Sequence, residues 1–258
     1  MTLRRRRSTE VVLSVASPLL VLGLWELLAR TETVDPGFWP PPSSLWGTTL
    51  ELLRDGSLLA DVRISLGRIL VGFVLGTVPA LVLGLAMGLF WPVRAFLMPI
   101  ATVIYAIPKI AIVPLILVVF GFGETGKFVT VGISMFFLVL LNTMAGVLAI
   151  DRSYRDVAHN FGARPINLLL SVALPGALPS IFTGLRLGLG FALVVLVGTE
   201  FIGAGDGNGI GEFIRTSAQI FALDKMFVGL IVTGLMGWLL TLAVDLLERW
   251  VIPWNRAD

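Results

Sequence analysis

Apolar residues come in long runs separated by short polar stretches. The first covers Val11 to Ala29; the others lie near 64–90, 95–120, 128–150, 181–202 and 221–247. Each is close to the ~20 residues that cross a bilayer as a helix. None alternates with the period of two that barrel strands need, so their backbone polar groups must be satisfied within helices. The pattern predicts an all-α polytopic membrane protein with about six transmembrane helices. Between the first two runs lies the rigid segment Phe38-Trp39-Pro40-Pro41-Pro42-Ser43. After it, Leu45, Trp46, Thr49, Leu50, Leu52 and Leu53 recur at helical spacing. That predicts a helix lying along the outer surface of the membrane.

Small and helix-breaking residues punctuate the runs. Gly72, Gly76, Ala80, Gly84 and Gly88 fall every fourth residue, as do Gly184, Gly188 and Ala192. Such ridges allow close helix approach, read either as tight packing or as a surface on which helices slide. Pro99, Pro108 and Pro114 interrupt the third run, where freed carbonyls need protein or a cavity to satisfy them. Residues 121–127 fit G-x-x-x-x-G-K, yet Phe128 stands where Mg²⁺ coordination needs Ser or Thr. They read as a turn between the third and fourth helices. Residues 203–211, GAGDGNGIG, lack the dinucleotide-binding spacing and offer too few oxygens for calcium. They are expected to form a flexible outer loop.

Composition agrees with a membrane protein. Only 14% of the 258 residues are charged, against about a quarter in soluble domains. The net charge is +2, and Arg4 to Arg7 carry most of the excess. That cluster should hold the N-terminus in the cytoplasm, and six spans return the C-terminus there. The expected division is 1–57 (N-terminus, first helix and outer segment), 58–247 (a five-helix transmembrane domain with a loop at about 151–179) and 248–258 (a cytoplasmic tail). No basic patch suggests nucleic acid. The chain has no Cys, and its single histidine, His159, argues against a metal site. No nucleophile, base and acid combine, so the chain is expected to be no enzyme. Charges inside apolar runs are usually functional; Lys109 and Glu200 stand out. Facing the bundle interior, Lys109 would lend positive potential to an anion pathway or pair with Glu200; a static ion pair fits equally. Arg186 and Asp245 should snorkel or pair between helices.

Ser153 to Pro179 is the longest interruption in the second half. Ser153 with Asp156 matches a helix start, Ala158 adds little bulk, and Gly162 suits a positive-φ ending. Pro165 can open a second helix, which Pro175 and Pro179 are expected to stop. The spacing of Asp156-Val157-Ala158, Gly162, Val172 and Leu174-Pro175 closely resembles the "EAA, Gly, Ile-x-Leu-Pro" loop of permease subunits in binding-protein-dependent type I ABC importers. Asp156 and Val157 stand where that family carries Glu and Ala. The outer segment resembles the aliphatic sulfonate, taurine, nitrate and bicarbonate branch, Ile107 to Leu115 resembles a recurrent motif of the family, and with the tail the likeness covers nearly the whole chain.

The resemblance implies a multi-pass permease in a bacterial inner membrane, paired as a homodimer. Its partners would be two cytoplasmic ABC ATPases and an extracytoplasmic solute-binding protein. Asp156, Ala158, His159, Gly162, Ala163, Leu174 and Pro175 would form the cytoplasmic coupling helices docked on the ATPase. Asp156 would grip that partner or cap its own helix. ATP and Mg would sit on the ATPase, with no cofactor on this chain. ATP binding would close the motors and turn the pathway outward; hydrolysis would reset it. Similar permeases handle sulfonates, taurine, nitrate, bicarbonate and pyrimidine-type precursors. The competing class, a self-contained secondary transporter or channel, needs no motor-docking loop and more often carries ion-coupling acids at the midplane.

Overall fold

Helices form wherever the sequence runs apolar, and proline and glycine decide where they break. The computed structural model describes residues 3–151, 153, 154, 157, 160–162, 164–202 and 207–254. Its helices are α1 (Leu3–Arg30), α2 (Pro42–Arg54), α3 (Ser57–Leu89), α4 (Trp91–Ala106), α5 (Lys109–Phe120), α6 (Glu124–Leu148), α7 (Pro165–Leu168), α8 (Leu174–Phe201), α9 (Ile210–Gln219) and α10 (Leu223–Val251). A π-helical turn, Leu169–Ala173, joins α7 to α8. Four of these helices, α3, α6, α8 and α10, are long and apolar enough to cross a membrane. The bent pair α4 and α5 makes a fifth if it counts as one span. Helix α1, with 28 residues, is about 42 Å long at 1.5 Å per residue. It carries the run expected to cross first, and Leu19, Leu20, Val21 and Leu24 on it are exposed.

The chain divides into two compact units, 1–60 with 213–232 and 61–212 with 233–258. In the first, the Glu26 carboxylate accepts from the Ser43 N–H at 3.0 Å and its Oγ at 2.8 Å. That fastens the start of α2 to α1. The Phe227 ring lies 5.6 Å from Trp25 and 5.7 Å from Trp39. The predicted surface helix is α2: Leu45 and Leu52 are buried, while Trp46 and Leu53 are exposed.

The second unit is built around α6. Its apolar stretch is 61% buried, against 22% for that of α10. The ridge on α3 explains one of its faces. A Cβ at Gly84 would stand 2.7 Å from Thr143 Cβ and 2.8 Å from the Leu140 carbonyl. Gly72 and Gly88 meet Val131 and Val147 in the same way. Helix α8 takes another face. A Cβ at Gly184 would lie 2.8 Å from Asn142 Cβ, and one on Gly146 of α6 would lie 2.6 Å from Ser180 Cβ. Both ridges are tight packing seams, and at Gly72, Gly84, Gly88 and Gly184 the backbones come close enough that a Cβ would overlap its neighbour.

Candidate translocation site

The third apolar run breaks once. Pro99 and Pro114 sit inside α4 and α5, but at Ile107-Pro108 the path turns by 99°. Pro108 has no N–H, so the carbonyl four residues back, Ile104, loses its helical donor. Lys109 supplies one: its Nζ donates to Ile104 O at 2.6 Å, Tyr105 O at 3.1 Å and Ile107 O at 2.9 Å. The ammonium thus caps the negative end of α4. It also lies 5.1 Å from the Phe137 ring centroid and 5.7 Å from that of Tyr105, a second stabilisation of a desolvated cation. Lys109 is buried and lines a 360 Å³ cavity with Tyr105, Pro108, Ser134, Leu138 and Phe191. No ion pair forms at Lys109 among the described residues.

The expected pairing of Lys109 with Glu200 is therefore corrected: Glu200 belongs to another cluster. Its side chain is wholly buried, and its carboxylate accepts from Arg68 Nη1 at 2.7 Å, Ser65 Oγ at 2.8 Å and the Gly211 N–H at 2.9 Å. Arg68 reaches the other way to Glu124, donating from Nε at 2.9 Å, while Nη1 also donates to the Asn208 carbonyl at 2.7 Å. Lys127, also buried, lies 3.4 Å from Glu124. The starts of α3 and α6 and the end of α8 thus meet at one level, as alternating spans require.

This cluster also corrects the reading of 203–211 as flexible, though 203–206 lie outside the described residues. Gly209 donates to Asp61 Oδ1 at 2.8 Å and Ile210 to Ser65 Oγ at 2.9 Å. Together with Gly211 on Glu200, they give the first N–H groups of α9 their acceptors. Gly209 has φ +115, and a Cβ there would stand 2.6 Å from Arg68 Nη1. The glycines serve close approach and a left-handed turn. The 121–127 segment differs too: α6 already begins at Glu124, which places Lys127 in a helix as a buried partner of Glu124. Sequence reasoning passed over Ser65 and Arg68. Their signal was a charge and a hydroxyl one turn apart at the start of an apolar run.

At the other end of α6 lies the loop. Asp151 makes the first cap, accepting from the Ser153 N–H at 2.8 Å. That bond holds its carboxyl below the usual carboxylate range. The bond's stabilisation is present at neutral pH and is lost as acid titrates the carboxylate through its lowered value. Gly162 has φ +70; Asp156, Ala158, His159 and Ala163 lie outside the described residues. Pro175 and Pro179 do not stop the helix: Leu174 and Pro175 form the first turn of α8, and Pro179 sits inside it. The π turn before them carries a Leu174 N–H to Leu169 O bond, a wider coil that admits the Pro175 ring. A cavity of 440 Å³ opens here among Ile150, Asp151, Tyr154, Val172, Pro175 and Trp254. Arg186 on α8 pairs with Asp245 at 2.7 Å and Glu248 at 2.9 Å on α10, the interhelical link expected.

Residues 80–257 match the family described as binding-protein-dependent transport system inner membrane component. The chain is similar to the taurine transport system permease protein TauC of Escherichia coli, 32% identical over 96% of this chain and 91% of that protein. It is 30% identical to a Bacillus subtilis protein named as the aliphatic sulfonates transport permease SsuC, over 93% and 86% of the two chains. An inward-facing structure of the MetNI methionine ABC transporter shares the fold, with a TM-score of 0.64 at 20% identity, over 75% of this chain and 95% of that one. The chain belongs to the binding-protein-dependent transport system inner membrane components and is a multi-pass permease subunit that forms the translocation pathway of an ABC importer.

Proposed function

We propose that this permease works as a homodimer with six spans per chain and both termini in the cytoplasm, importing a small anionic solute. Two ABC ATPase chains, which hold the ATP and Mg, push on the loop at about 151–179 through Asp156, Ala158, His159, Gly162, Ala163, Leu174 and Pro175. An extracytoplasmic binding protein delivers the solute. Continuity supports the lever: the π turn and α8 form one path from the loop across the membrane, so a push on the loop reaches Glu200 without a hinge. The relatives named for taurine and aliphatic sulfonates support an anionic sulfonate-type cargo.

The observation that carries the anionic reading is Lys109, a buried cation held by carbonyls and ring faces beside a cavity. With its three N–H groups already used, it acts through potential more than as a direct ligand. In proteoliposomes holding the whole complex, Lys109→Met should lower uptake of ethanesulfonate about tenfold or more. Lys109→Arg should keep part of it, and both should assemble with the ATPase. Undiminished uptake by Lys109→Met would remove Lys109 from the pathway.

A further inference from the structure

Arg68 has two unequal arms. Glu200, on one side, is wholly buried with each oxygen bonded, so leaving would strand a charge in the interior. Glu124, on the other, is 39% exposed and holds Arg68 Nε and Lys127 Nζ from the rim. Its carboxylate reaches the rim, so an anion arriving there can replace it on donors that are themselves buried and need a negative partner. Beside it opens a cleft of 510 Å³ lined by Arg63, Ile64, Gly67, Arg68, Phe128 and Asn208. With Glu124 turned out, Arg63, Arg68 and Lys127 would face that cleft. Glu200 holds one face of Arg68 in place, so the Arg68 Nε edge and Lys127 are the donors that Glu124 would release.

We propose that this cleft is a reception site for a compact oxyanion at the extracytoplasmic end of the pathway, with Glu124 as a built-in carboxylate that the incoming anion replaces. The site rests on the anionic, N-terminus-inside reading above and lies at the opposite end of α6 from the coupling loop. Its logic is exchange: one carboxylate keeps Arg68 and Lys127 paired when no solute is present, and a sulfonate or carboxylate takes over the same donors on arrival. Arg68 Nε and Nη2 form the planar fork that suits two oxygens of such a group. Arg63, exposed on the preceding turn of α3, would steer the anion in.

The test is binding of ethanesulfonate to the assembled complex in nanodiscs, by calorimetry at fixed ionic strength. Glu124→Gln removes the competing charge and keeps the hydrogen-bonding shape; it should tighten binding about tenfold. Glu124→Asp, a shorter placeholder that is safer for folding, should tighten it less. Adding Arg63→Gln to Glu124→Gln should reverse the gain, and a neutral sulfone of the same size should show none. Ethanesulfonate binding that Glu124→Gln and Glu124→Asp leave unchanged or weaken overturns the reception site alone. Equal gains for the neutral sulfone overturn it as well. Failure of every variant, wild type included, to bind ethanesulfonate overturns it together with the anionic reading of the pathway.

Discussion

Arg68→Met is expected to cost this permease more stability than any other single change of charge. It strands the Glu200 carboxylate, which has no exposure to water, with only the Ser65 hydroxyl and the Gly211 N–H as donors. Breaking a buried ion pair from one side costs about 3–5 kcal/mol. Thermal unfolding in detergent should show it as a sharp fall in melting temperature and in yield of folded protein. An internal control is available. Arg186, about one-third exposed, pairs with Asp245 and Glu248, also partly exposed, and such pairs are worth roughly 0–1 kcal/mol. Arg186→Met should therefore be mild. Because the charge left behind is what destabilises, Arg68→Met combined with Glu200→Met should recover much of the loss. A double variant as unstable as Arg68→Met would mean that the cluster's shape, more than its charge, holds the three helices together.

The second large effect is expected at Gly209. Its φ of +115 is unfavourable for any side chain, and a Cβ would press within 2.6 Å of both Arg68 Nη1 and Glu200 Cδ. Gly209→Val therefore meets backbone strain of about 1–3 kcal/mol and also wedges the ion pair apart. Gly207 separates the two causes. It has φ +69, and a Cβ there would have nothing within 4 Å, so Gly207→Ala should meet strain alone. Unfolding curves should place Gly209→Val well below Gly207→Ala. Equal curves would show that the contact with Arg68 carries none of the effect.

What could be read from the sequence followed from local physics. Apolar runs gave the four long spanning helices and the bent pair α4 and α5, four-residue glycine spacing gave the seams on α6, and Pro108 gave the elbow. Gly162 was legible because a glycine after a short helix so often takes the left-handed turn that it shows here. Three features were hidden. Arg68 and Glu200 lie 132 residues apart, and no local pattern says which buried acid a buried arginine will meet. The glycines of 207–211 looked like flexibility because composition cannot distinguish a loose chain from one pressed against a carboxylate. Pro175 looked like a stop because the π turn that accommodates it depends on the surrounding helices. Ser153 was the expected cap of the loop's first helix, yet Asp151, two residues earlier, holds its N–H. Helix-start patterns fix such a cap only to within a residue or two.

In the proposed mechanism the loop around Gly162 faces a cytoplasmic ATPase and receives its push. Val157, within that loop, is 54% exposed, and the chain contains no cysteine, so Val157→Cys gives a single thiol. In whole cells expressing the full complex, a short photoactivatable thiol reagent on that cysteine should cross-link to the ATPase chain, and a membrane-impermeant maleimide added outside should leave it unmodified. A thiol labelled from outside, with no adduct to the ATPase, would contradict the account.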